Sequence, residues 1–158
     1  MTAVLSYAEA RPDLRSGDVV ALRGRGSLIG WLVDAATRSS YDHIGLVWRV
    51  ASRVFLLEAT PWAGVGIRSL SSVGSFDWIS AGVDWTPSRE DRAIADLEMP
   101  YAYLDALRLG LGLRPSRNGL VCSLFVADVL GLPRDAATPG YVVDRLTRAG
   151  ANLSHIIG

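Results

Sequence analysis

The chain is 158 residues long, 49% apolar and 20% charged, which suits one globular domain spanning 1–158 with a core of its own. Sixteen Arg balance sixteen acidic residues, with no Lys, so the formal net charge is zero and the basic excess of a nucleic-acid binder is missing. The single Cys rules out an internal disulfide, and no oxidising compartment is implied.

The N-terminal stretch MTAVLSYAEARPDLRSGD has no basic region followed by a long apolar one. No signal peptide is expected, and the chain reads as soluble and by default cytoplasmic. In LRSGDVVALRG, Ser16-Gly17 makes a turn and Val19, Val20, Ala21 and Leu22 continue as a short buried strand. SLIGWLVDAATR places Ser27 as N-cap of a helix whose apolar face holds Leu28, Trp31, Leu32 and Ala35. DHIGLVWRV (42–50) and RVFLLEAT (53–60) are separated only by Ala51-Ser52, the pattern of an antiparallel hairpin. GVGIRSL (64–70) and FDWISAGVDW (76–85) add two strands, so the middle of the chain predicts a small antiparallel sheet.

The second half turns helical. Pro87-Ser88 with Asp91 three residues on has the form of a capping box. YLDALRLGLGL (103–113) predicts a helix weakened by its glycines. LVCSLFVADVLGL (120–132) is apolar nearly all round, as a central buried helix is, and is too short to cross a bilayer. Thr138-Pro139 starts a last helix that ends near Gly150. Strands followed by segregated helices make the fold class α+β.

A lone cysteine on an apolar helix is ordinarily a small buried hydrophobe. Cys122 differs because Arg117-Asn118-Gly119 breaks the preceding helix and leaves it in the first turn of the next. Exposed N–H groups and the helix dipole there favour a thiolate and can hold an oxyanion. A thiol nucleophile needs a base, and the chain has two histidines. His155, beside Ile156-Ile157 near the C-terminus, reads as a surface or packing residue. His43 lies in a predicted strand. If Val50 and Arg53 flank a two-residue turn, His43 faces Thr60, and Glu58 becomes its diagonal neighbour on the same sheet face. A Glu inside the apolar run FLLEAT is costly unless paired, which favours a His43–Glu58 pair; the alternative is a solvent-facing Glu on a half-exposed sheet, and a one-residue slip would put it on the other face.

YDHIGLV, LLEAT followed by GVGIRSL, and VCSLFVADVLGL, preceded by SGDVV, together resemble the permuted NlpC-type papain-like cysteine hydrolases and amidases, the YiiX/YaeF-like proteins. The resemblance runs from about Gly17 to Gly140. It implies a circularly permuted papain-like fold, an antiparallel partial barrel packed on a cysteine-bearing helix. It also implies a triad that carries over to Cys122, His43 and Glu58. Gly17-Asp18 resembles the family's GD motif, and Tyr101 resembles a tyrosine that helps polarise the substrate carbonyl. Many members have an acidic residue two positions after the cysteine, where this chain has Leu124.

Trp62, directly after the Glu58 strand, is a candidate for lining the cleft, with an exposed turn and a packed Trp the alternative. Gly24, Gly26 and Gly30 lack the GK[ST] of a phosphate loop, and Arg108, Arg114 and Arg117 read as a solvated loop. Two His and one Cys, widely separated, do not make a zinc site, and no cofactor is expected. The expected activity is cysteine-dependent acyl transfer on a peptide, another small amide or a lipid acyl group, as hydrolase or acyltransferase. The competing class is a non-catalytic binding or assembly module that keeps the fold. Oligomeric state is not set by any feature of the residues.

Overall fold

Val19, Val20, Ala21 and Leu22 form a strand whose four side chains are all buried, and the sheet is built outward from it. A computed structural model describes residues 2–24, 40–61, 63–102, 104, 105, 108, 113, 121–134 and 138–158. Among these, the strands are β1 (Ala3–Ser6), β2 (Val19–Leu22), β3 (His43–Val50), β4 (Arg53–Thr60), β5 (Gly64–Ser69), β6 (Phe76–Ser80) and β7 (Asn152–Ile157). The helices are α1 (Tyr7–Ala10), α2 (Pro87–Ala95), α3 (Cys122–Leu130) and α4 (Pro139–Arg148). The strands form one sheet in the order β1-β7-β6-β2-β3-β4-β5, so the domain is α+β.

The sheet is larger than the sequence predicts, and it is mixed. Both chain ends add a strand, and β1 and β7 pair in parallel, Ala3 with Ser154 through Ser6 with Ile157. Neither strand shows enough alternation in its few residues to announce itself, and a parallel partner cannot be read from local sequence. The strand expected over 76–85 ends at Ser80: Ala81 N–H donates to Asp18 Oδ1 at 3.2 Å, and Gly82 turns the chain with φ 61°.

The β3–β4 hairpin closes where expected, with Ala51 in the left-handed region at φ 51°. Its ladder runs from Val50↔Arg53 to Leu46↔Leu57 in the predicted register and stops there, so the expected facing pair of His43 and Thr60 lies beyond its end. His43 pairs instead with Leu22 of β2, and Thr60 with Gly64 of β5.

Two hydrophobic clusters hold the domain together. Val19, Ala21, Ile44, Leu46, Leu57 and Ala59 pack with Cys122, Phe125, Val126 and Val129 of α3 and with Val142, Val143 and Leu146 of α4. Val20, Leu22, Val47, Leu56, Phe76 and Trp78, which alternate with the first set along their strands, pack with Leu14, Leu70 and Ile156. Each fully buried Leu or Phe contributes roughly 1.5–3 kcal/mol.

Helix ends follow their sequence cues with one correction. Thr138 caps α4, its hydroxyl accepting from Tyr141 N–H at 3.2 Å. For α2 the N-cap is Thr86, with Pro87 inside the first turn and no side-chain cap, so no capping box forms there. A capping box does occur at Ser6 and Glu9, starting α1. The helix expected from Ser27 lies outside the described residues, as does most of the helix expected over 103–113.

Candidate active site

Cys122 is the first residue of α3, 6% exposed, and Val121 at the N-cap offers no side chain to occupy the helix start. Val121 is extended, with φ −114° and ψ 166°, and leads the chain into the helix. The rest of α3 is anchored by Leu124, Phe125 and Val126, all fully buried, and the helix packs against β3 and β4. Gly131, left-handed at φ 73°, ends it. Leu124 therefore belongs to the core and not to a cleft.

His43 opens β3, and its ring lies between two partners. A carboxylate can only accept, so Nε2–H is the donor to Glu58 Oε2, at 2.5 Å. The Cys122 side chain lies near enough to the same ring to raise its pKa. Burial opposes charge on the ring, whose side chain is 17% exposed. Cys122 and then Glu58 outweigh burial and push His43 up to about 10.

Glu58 is the more deeply buried partner, with 7% of its side chain exposed. Burial works to neutralise it, yet His43 and then Arg68 hold its carboxyl below the ordinary range. Arg68 on β5 reaches it twice: Nε pairs with Oε1, and Nη2 donates to Oε2 at 3.2 Å. Sequence reading did not single out Arg68. The signal was present, since Glu58 stands opposite Gly66 in the β4–β5 ladder and Arg68 is the next residue along on that face.

The structure thus brings Cys122, His43 and Glu58 together. Tyr101 packs against the clusters that contain Cys122 and Val121. Trp62 lies outside the described residues. The Gly17-Asp18 turn lies in a separate network: Asp18 is buried and accepts from Arg15 N–H at 2.9 Å and Trp78 Nε1–H at 3.0 Å. His155, expected as a surface or packing residue, has a 38% exposed side chain, with Nδ1 hydrogen-bonded to Asp77 Oδ1 at 2.7 Å. Arg108 pairs with Asp105 at 3.3 Å.

No family model matches the chain, and no curated protein matches it by sequence. Its fold is similar to the crystal structure of the metalloprotein yiiX from Escherichia coli O157:H7, with a TM-score of 0.56 and 18% identity, over 92% of this chain and 89% of that one. The chain shares the yiiX fold. Among the described residues of this chain, no group of three or more His, Cys, Asp or Glu is placed to hold a metal ion. No helix among the described residues is long and apolar enough to cross a membrane.

Proposed function

We propose that the chain is a cysteine-dependent acyl-transfer hydrolase, of amidase or peptidase type, on a circularly permuted papain-like fold. The observation that carries the reading is the His43 ring held between Cys122 at a helix N-terminus and the buried Glu58 carboxylate. A thiol, a base and a group that orients the base are what nucleophilic acyl transfer requires.

The residues take the following roles. Nε2–H of His43 is committed to Glu58, which leaves Nδ1 for the thiol. A ring raised to about 10 is an imidazolium at neutral pH, so it carries the proton before substrate arrives. The Cys122 sulfur adds to the substrate carbonyl, and the carbonyl electron pair moves to oxygen. Backbone N–H groups in the first turn of α3 receive that oxyanion, with Tyr101 in the same neighbourhood. The C–N bond breaks as His43 gives its proton to the leaving amine. Water then attacks the thioester, His43 takes the proton from water, and the thiolate is released.

The test is turnover of cell-wall peptide fragments and small amides by wild type, Cys122→Ala and His43→Ala. Cys122→Ala is expected to lose on the order of a thousandfold or more in rate while keeping its fold. Mass spectrometry should find a thioester adduct on Cys122 in wild type. Undiminished hydrolysis by Cys122→Ala would eliminate the thiol mechanism and favour the binding-module reading.

A further inference from the structure

We propose that Arg68 is a positioning residue of this site, keeping Glu58 ionised and aimed at His43 through the part of the cycle in which His43 has lost its proton. The proposal rests on the hydrolase reading above and extends it.

The need arises from burial. On the hydrolase reading the resting ring is an imidazolium, and its charge compensates that of Glu58. Once His43 protonates the leaving group, the ring is neutral, and Glu58 would be a buried carboxylate without a counter-charge. Such a group takes up a proton or swings toward solvent, and either event would leave Nε2–H without its acceptor. A second, permanent cation removes the problem. Arg68 supplies one that does not titrate in the working range.

Geometry favours this role over that of a surface ion pair. Arg68 comes from the strand on the far side of Glu58 from His43, so the carboxylate is held from both sides. Its side chain is 31% exposed; Nη2 donates to Glu58 Oε2 at 3.2 Å, and Nε lies in ion-pair contact with Oε1 without hydrogen-bonding it. The guanidinium meets both carboxylate oxygens, Oε2 by a hydrogen bond and Oε1 by charge, where a single ammonium would meet one. Gly66, directly opposite Glu58, has open space at its missing Cβ, so no side chain stands between the two. The charged groups that face Glu58 are His43 from β3 and Arg68 from β5, with Cys122 of α3 beyond His43.

Because Cys122 is the chain's single cysteine, the rate of iodoacetamide addition, read by intact mass, reports on this thiol alone and needs no substrate. The rate is measured from acid to neutral pH in wild type, Arg68→Lys, Arg68→Met, Glu58→Gln and the Arg68→Met/Glu58→Gln double variant, each checked for fold by circular dichroism. Without Arg68, Glu58 titrates higher, so the acid limb of the Arg68→Met profile should move up by about one pH unit. Arg68→Lys keeps the charge and loses the contact with both oxygens, and should shift by less. In the Glu58→Gln background, Arg68→Met should add nothing further. A reactive Arg68→Met whose profile superimposes on wild type would overturn the role of Arg68 and leave the hydrolase reading standing. An equal shift in the Glu58→Gln background would do the same, by showing that Arg68 does not act through Glu58. A wild-type Cys122 that alkylates no faster than an ordinary thiol at any pH would sink the hydrolase reading, and the proposal with it.

Discussion

A carboxylate as buried as Glu58 is tolerated only when charge-assisted hydrogen bonds offset its lost hydration, and His43 and Arg68 supply them. Those contacts, with Cys122 on the other side of His43, make stability depend on pH. Glu58 is lowered from its ordinary 4.5, so its contribution is present above 4.5 and lost as pH falls through the folded value. His43 is raised from 6.5 to about 10, so its contribution is complete below 6.5 and lost as pH rises through about 10. The pair therefore stabilises most between about 4.5 and 6.5. Glu58→Gln is expected to cost on the order of 2 kcal/mol in that window and less on either side, measured by urea unfolding across pH. A deficit independent of pH would mean that Glu58 contributes packing and not charge. In turnover, the same variant should lose less than His43→Ala, because an orienting group contributes less than the base it holds.

At the scale of the element, the approach of β3 to β4 beside the site depends on one glycine. A Cβ on Gly45 would lie 2.6 Å from the Leu57 carbonyl oxygen, 2.8 Å from Leu56 Cδ1 and 3.1 Å from Glu58 Cβ. Any side chain there pushes the strands apart and carries Glu58 away from His43. Gly45→Ala is therefore expected to destabilise by about 1–3 kcal/mol and to slow alkylation of Cys122. Gly66, on the other side of Glu58, has open space, and Gly66→Ala should be neutral or stabilising by up to about 1 kcal/mol, since Ala suits a strand better than Gly. Denaturant titration of the two variants, side by side, checks both. Similar losses would show that the close approach at Gly45 is not what limits substitution.

The whole molecule is joined by a second buried carboxylate. Asp77 of β6 accepts from Tyr41 Oη–H at 2.7 Å, from Arg23 Nε–H at 2.9 Å and Nη2–H at 2.6 Å, and pairs with His155 at 2.7 Å. These partners come from the end of β2, the approach to β3 and the C-terminal strand, so one side chain connects segments far apart in sequence. Asp77→Ala should cost about 1–3 kcal/mol in urea unfolding, because it removes the acceptor of the buried Tyr41 hydroxyl and frees the partly exposed Arg23 and His155. A loss under 1 kcal/mol would show that β7 is held by its ladder and by Ile156 alone.

Local sequence determined what local physics controls. The two-residue separation of DHIGLVWRV and RVFLLEAT set the hairpin register, because a tight turn admits few alternatives. The apolar run from Val121 set the start of α3 at Cys122, and Thr138-Pro139 set the start of α4, while the break expected at Arg117-Asn118-Gly119 lies outside the described residues. Tertiary structure alone decided the rest. The parallel union of β1 and β7 joins the two chain ends, and no short pattern encodes such a partner. Strict alternation assigns His43 and Glu58 to the face of Val47 and Leu56, whose cluster is not the one containing Cys122. Their meeting with the thiol takes place past the end of the β3–β4 ladder, where the packing of α3 on both strands, and not strand periodicity, brings the groups together.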